Sequence, residues 1–252
     1  MNAGTQGGTA GSPNAVEALY IFPHAGGSAG AYAPFARAFS MDIKRVAVQY
    51  PGRTGQHDVP DIASIPALAD DIYKMLSPAN APHGRIAFFG HSMGGLVAFE
   101  VARKFESMSK PIAALFISAS PAPGHGGYQH LHQSSDDDLL KMVTEMTGTN
   151  AQFLGERFGA TILRTLRNYG AITKYKCPPG TTVSCPIYAY AAADDTVINY
   201  DSVAAWSEFT TAEFAVTLVA GEHFYVTEDA RQLVANIEDR IARADARNRR
   251  PT

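Results

Sequence analysis

The stretch Arg85–Phe105, RIAFFGHSMGGLVAFEVARKF, carries three signals in a fixed order. RIAFF is a short apolar run with two aromatic residues, the pattern of a buried strand. GHSMGG follows, with glycines on both sides of Ser92. LVAFEVARKF continues without a breaker and reads as a helix, with Leu96, Phe99 and Val101 among its apolar positions. A strand, a tight turn and a helix directly behind it make a nucleophile elbow, which lifts a serine hydroxyl above the end of a sheet. A second stretch, GGSAG at Gly26–Gly30, fits the same G-x-S-x-G spacing, and the spacing alone does not discriminate. Ser28 is separated from the strand before it by Pro23, His24 and two glycines. That is a loop, where the expected role of Ser28 is to cap a helix beginning near Ala29. Ser92 is therefore the candidate nucleophile.

The same alternation extends to both sides. ALYIFPH (18–24), KRVAVQYPG (44–52), PIAALFIS (111–118), PIYAYAA (186–192) and EFAVTLVAG (213–221) read as strands. AYAPFARAF (31–39), SIPALADDIYKML (64–76), SVAAWSEF (202–209) and EDARQLVANIEDRIARA (228–244) read as helices. In the second of these, Ser64 is the expected N-cap and Pro66 lies in the first turn. Strand–helix alternation predicts an α/β fold: a mostly parallel, doubly wound sheet with helices on both faces. Ser92 ends the third strand, central by count, and ligands of open α/β sheets bind at such carboxyl ends.

From Ala119 to Ser184 the strand pattern stops. SSDDDLLKMVTEMTG (134–148) and ERFGATILRTLRNYG (156–170) read as helices, the first with acidic residues where they suit the helix dipole. A long insertion between two strands of one sheet is more often functional than decorative. The expected organisation is a flexible tail over 1–15, one domain over 16–244 with a lid insertion at about 120–184, and a basic tail over 245–252. In the lid, Leu139, Leu140, Met142, Val143 and Met146 form one apolar face. Phe153, Phe158, Ile162, Leu163 and Leu166 supply another. Most would pack the lid onto the sheet, and the remainder would line a chamber above it.

Composition limits the alternatives. The chain has 252 residues, of which 46% are apolar, enough to build a sizeable core. A net charge of −3 gives no sign of a nucleic-acid or membrane-surface binder. No apolar run approaches the roughly 18 residues of a membrane span, and the first residues lack the pattern of a secretory signal. Two cysteines, Cys177 and Cys185, suit a reducing compartment and are expected as ordinary buried thiols. A cytoplasmic monomer is the expectation, with no metal and no organic cofactor, since metal-ligand spacing of Cys and His is absent.

A serine near its free pKa needs a base, and the base needs an orienting acid. In this topology they follow in the order Ser, acid, His. His223, in AGEHFYV directly after the last strand, is the candidate base. His91 adjoins Ser92 on the turn and is expected to point elsewhere. The loop after PIYAYAA offers Asp194 and Asp195, and the residues themselves leave both open. One oxyanion donor is the backbone N–H of Met93, the residue after the nucleophile.

FPHAGGSAGAY, YPGR, GHSMGG and GEHFY, in this order, closely resemble the type II thioesterases, from about residue 17 to residue 240. These are stand-alone α/β hydrolases that serve polyketide synthases and non-ribosomal peptide synthetases. The resemblance implies hydrolysis of acyl thioesters from the phosphopantetheine arm of an acyl- or peptidyl-carrier protein, for editing or release. It implies no cofactor. It assigns the acid to the last residue of a G-D-x-D turn, read here as AADD over Ala192–Asp195, hence Asp195; Ala193 stands where the family has its first Asp. That departure keeps Asp194 as the alternative. The family pattern also places the second oxyanion donor at Ala25. Lys141, Arg157, Arg164 and Arg167 are candidates for a carrier-docking patch. A carboxylesterase or lipase acting on oxygen esters would share the elbow and fold. An interaction protein on an inactive hydrolase fold is the reading from outside enzymology.

Overall fold

A computed structural model describes residues 15–51, 64–76, 85–126, 135–147 and 175–248 of the chain. Its elements are β1 (Val16–Phe22), α1 (Ala33–Arg37), β2 (Lys44–Ala47), α2 (Ile65–Leu76), β3 (Arg85–His91), α3 (Met93–Ser107), β4 (Ala114–Ser118) and α4 (Asp136–Thr147). They continue with β5 (Ile187–Ala192), α5 (Tyr200–Ala204), a 3-10 turn (Ala205–Phe209), β6 (Phe214–Val219), α6 (Tyr225–Glu228) and α7 (Arg231–Asn248). The strands form one sheet in the order β2-β1-β3-β4-β5-β6, with every pairing parallel. The predicted α/β architecture is the one observed.

The inner strands β1, β3, β4 and β5 bury both faces, so their apolar residues run on instead of alternating with polar ones, while the edge strands β2 and β6 are only partly buried. In β1, Ala18, Tyr20 and Phe22 join the core beneath α2 and α3, while Leu19 and Ile21 join the core that includes α1 and α7 residues. β3 divides in the same way: Ile86 and Phe88 face one core, Ala87 and Phe89 the other. Trp206 is fully buried and donates its indole N–H to the Ser120 carbonyl at 2.9 Å, satisfying its one polar atom.

Boundaries differ from the expected ones for local reasons. α1 begins at Ala33, not near Ala29, with Pro34 in its first turn. Ser28 therefore caps a turn: its hydroxyl accepts from Ala31 N–H at 3.2 Å before the helix starts. Ser64 does cap α2, accepting from Ala67 N–H. Asn199 caps α5 through Ser202 N–H at 2.8 Å, so that helix starts earlier than its apolar pattern suggests. The last helix is two: α6 closes after Glu228, where Asp229 is extended, and α7 restarts at Arg231. In the insertion, Ser135 caps α4 by accepting from Asp138 N–H, and Leu139 is buried. The rest of the predicted lid core (Met142, Val143, Met146, Phe153, Phe158, Ile162, Leu163 and Leu166) and Arg157, Arg164 and Arg167 lie outside the described side chains. So do the N-terminal tail, the end of the C-terminal tail and most of the lid insertion. Cys177 and Cys185 are both free thiols, and burial pushes Cys185 up to about 12.

The sheet order fixes where a site can form. The chain leaves β1 to lay β2 on one side, then crosses back to lay β3 on the other. The crevice at such a switch point opens at the carboxyl ends of β1 and β3, the usual ligand position in open α/β sheets. Those ends carry Pro23–Gly27 and Ser92. They meet closely: a Cβ on Gly94 would lie 2.0 Å from the Phe22 carbonyl oxygen and 2.6 Å from that of Pro23.

Gly94→Ala should accordingly cost about 3 kcal/mol or more, because backbone on both sides has to move. Gly180→Ala, at φ +75 with open space around the added carbon, should cost about 1 kcal/mol for the left-handed backbone alone. Urea unfolding of the two variants checks the contrast; equal losses would mean the α3–β1 approach is looser than described.

Candidate active site

Ser92 sits between β3 and α3 at φ 55, ψ −124, a backbone region that non-glycine residues avoid. Such strain persists only where surrounding structure holds it. The holding contacts are clear. Ser92 N–H donates to the Ser118 carbonyl on β4 at 2.8 Å, and the Ser92 carbonyl accepts from Gly95 N–H at 2.9 Å. A Cβ on Gly90 would lie 2.2 Å from the Gly94 carbonyl oxygen, and one on Gly95 would lie 2.6 Å from Ser120 Oγ. The glycines around Ser92 are thus required by contact.

His223 and Asp195 arrive from the other half of the sheet. Beyond the ends of β5 and β6, backbone bonding continues: Ala193 N–H to the Val219 carbonyl at 2.8 Å, and Asp194 N–H to the Gly221 carbonyl at 3.0 Å. The acid turn and the histidine loop are therefore in fixed register. His223 Nε2 lies 3.1 Å from Ser92 Oγ, and His223 Nδ1 lies 2.7 Å from Asp195 Oδ2. Asp195 Oδ1 accepts from Val197 N–H at 2.8 Å and Ile198 N–H at 2.9 Å. Both oxygens of this carboxylate are occupied, and its side chain is 1% exposed. Ser92 and His223 are buried too. Asp194, the alternative acid, is exposed on the same turn.

Burial alone would raise the Asp195 pKa. The hydrogen bond and positive field of His223, together with the two backbone N–H groups, outweigh it and hold the carboxyl below its usual value. Asp195 is therefore a carboxylate at neutral pH, placed to accept from Nδ1–H and leave Nε2 as the acceptor facing Ser92.

Met93 opens α3, so its N–H is among the first-turn groups without a partner four residues back. Ala25 lies in the turn after β1, half-buried against the core. Its loop is held by Tyr50, whose hydroxyl donates to the Pro23 carbonyl at 2.6 Å, and by Gln49, which accepts from Ala29 N–H at 3.2 Å. Gly26 takes φ +84 within this loop. The Ser28 hydroxyl accepts from Ala31 N–H.

Several contacts around the site had no signal in the sequence. His91 is fully buried and points away from Ser92, with Nδ1 2.9 Å from Ser118 Oγ. Ser118 Oγ is in turn 2.6 Å from Tyr225 OH. The rings of His24, Phe224 and His223 pack around His91, with centroids 6.1, 5.8 and 5.3 Å away. His24 Nδ1 lies 2.8 Å from Tyr32 OH. His24, Tyr32, His91, Phe224 and Tyr225 stand in the quoted motifs, but the motifs do not say that these side chains meet, and Ser118, which joins His91 to Tyr225, lies outside them.

The thioesterase-domain family profile matches residues 17–241. Thioesterase TesA of Mycobacterium leprae is 46% identical over 241 residues, covering 95% of this chain and 92% of that one. Among solved structures, the thioesterase RedJ of the prodiginine pathway in Streptomyces coelicolor superposes with a TM-score of 0.80 at 29% identity, covering 94% of this chain and 96% of its own. The type II thioesterase BorB of the borrelidin biosynthetic cluster superposes with a TM-score of 0.74 at 33% identity, covering 92% and 94%.

The Asp195 carboxyl gives a pH test. A carboxyl depressed in the fold stabilises the native state above its unfolded value of about 3.9. That stabilisation is lost as pH falls through the lower native value. Asp195→Asn should melt below the native protein at pH 7, and the gap should narrow as pH drops below about 4. Thermal unfolding across pH measures this; a gap that stays constant would assign the effect to packing instead of charge.

Proposed function

The chain belongs to the thioesterase-domain family, and from that premise we propose that it hydrolyses acyl thioesters carried on the phosphopantetheine arm of acyl- or peptidyl-carrier proteins. Its relatives in polyketide and non-ribosomal peptide pathways support an editing or release role in a synthase of that kind. The observation that carries the reading is the unbroken hydrogen-bonded chain from Ser92 Oγ through His223 to Asp195 at the switch point of the sheet. Among the described residues, no helix is long and apolar enough to cross a membrane.

In this reading Ser92 Oγ attacks the thioester carbonyl carbon while His223 Nε2 takes its proton. Asp195 holds Nδ1–H and stabilises the imidazolium that forms. The N–H groups of Met93 and Ala25 receive the tetrahedral oxyanion. The carbon–sulfur bond then breaks, and His223 returns the proton to the departing thiol. Water, deprotonated by His223, attacks the acyl-serine and releases the acid, restoring Ser92. No step draws on a metal or an organic cofactor. The dry surroundings of Ser92 and His223 strengthen each of these electrostatic contacts.

Ser92→Ala should lower kcat by several orders of magnitude, as loss of a triad nucleophile does. Ser28→Ala should leave kcat near native and cost about 1 kcal/mol of stability. Asp195→Asn should cost more activity than Asp194→Asn, because Asp195 is the residue on His223. Steady-state kinetics on one thioester substrate tests all four; a near-normal Ser92→Ala enzyme ends the proposal.

Substrate class is tested with one acyl chain on three carriers. Acyl-carrier protein should be hydrolysed with higher kcat/KM than the same acyl group on coenzyme A or on an oxygen ester. The advantage should shrink with salt, since exposed charge contacts are screened beyond roughly 10 Å at 0.1 M. Preference for the oxygen ester would move the assignment to an esterase.

A further inference from the structure

Ser118 ends β4 beside the elbow and is fully buried. Its backbone carbonyl accepts the Ser92 N–H at 2.8 Å. Its hydroxyl is 2.9 Å from His91 Nδ1 and 2.6 Å from Tyr225 OH. His91 directly precedes Ser92, and Tyr225 lies two residues after His223. One side chain on the central sheet therefore touches both segments whose spacing decides whether Ser92 and His223 can exchange a proton. The proposed hydrolytic steps do not use these three side chains.

Resting on the reading of Ser92 as nucleophile and His223 as base, we propose that Ser118 is a positioning residue, joined through its hydroxyl to His91 and Tyr225, that sets the Ser92–His223 separation from β4. The backbone of the histidine loop is restrained on its acid side by the Asp194–Gly221 bond and by Asp195 itself. Tyr225, 2% exposed, supplies the restraint on the side toward the nucleophile. Buried hydroxyl chains are well suited to this, because surrounding low dielectric strengthens each bond and leaves no water to replace a lost one.

His91 adds an electrostatic condition. Its Nε2 is buried and has no hydrogen-bond partner among the described residues. His24, Tyr32, His223, Phe224 and Tyr225 surround the ring. Burial first, then the neighbouring His223 and His24, hold its pKa well below the usual histidine value. The ring bonded to Ser118 therefore stays neutral and does not oppose the positive charge that His223 gains in each turnover.

The test uses Ser118→Ala, Tyr225→Phe and their combination in the full chain. Three quantities are measured: kcat and KM on a thioester, the rate of Ser92 phosphonylation by a fluorophosphonate, and Tm. Tyr225→Phe keeps the ring and removes only the link to the histidine loop. It should lower kcat and the phosphonylation rate about 10-fold, with KM within about twofold, since misplacement of reacting groups acts on the chemical step. Ser118→Ala should lose at least as much, and the double variant no more than Ser118→Ala, because the two substitutions cut one path. A drop in Tm with native phosphonylation at a temperature where the variant is folded would make the network merely structural and overturn the proposal. So would full additivity of the two losses. If Ser118→Ala does not fold, Tyr225→Phe decides by the same criteria. A native enzyme that fails to label at Ser92 sinks the functional reading and the network together; variants that match a reactive native enzyme sink the network alone.

Discussion

Helix α3 starts against the exit of β1 because Gly94 has no side chain. An added carbon there would sit 2.0 Å from the Phe22 carbonyl oxygen, inside any van der Waals distance. Much else depends on this approach. It brings the Pro23–Gly27 loop alongside the turn that carries Ser92. It also leaves Ser92 on a strained turn, with its N–H taken by Ser118 and its side chain directed away from the sheet. A looser elbow would relieve the strain and lose this approach.

The second half of the site is supplied by a ladder that does not stop at the ends of its strands. β5 and β6 pair in parallel register up to Ala192 and Val219, and two further backbone bonds carry that register into the acid turn and the histidine loop. Asp195 and His223, 28 residues apart, meet for this reason. The acid turn departs from the family's usual sequence at Ala193. That position is exposed, and its N–H still takes part in the ladder.

Electrostatics in this region is managed by burial and pairing. Asp195 carries its charge in a dry site because three donors face it. His91, equally buried, has one partner and stays neutral. Two imidazoles with ring centres 5.3 Å apart thus have different surroundings: His223 lies between a carboxylate and a hydroxyl, while His91 is bonded to a hydroxyl alone among the described residues. A separate polar cluster around Glu100 follows the same logic. Glu100, buried on α3, is satisfied by Arg103 and by the Tyr175 hydroxyl, which ties the chain returning from the insertion to the body of the fold.

Much of this was legible in the sequence, because local chemistry determines it. Strand and helix alternation follows from runs of apolar residues and their breaks. The choice of Ser92 over Ser28 follows from a strand directly before it and an unbroken helix directly after. His223 follows from its place after the last strand. What local pattern could not decide is anything that depends on two distant segments touching. Asp194 and Asp195 are chemically identical neighbours, and only the turn that carries them selects which one reaches His223. The contacts of His91 with Ser118, and of Ser118 with Tyr225, join residues 27 and 107 positions apart. No periodicity encodes such pairs. They exist because parallel strands bring their carboxyl ends to one edge of a sheet, where side chains without any sequence relationship become neighbours.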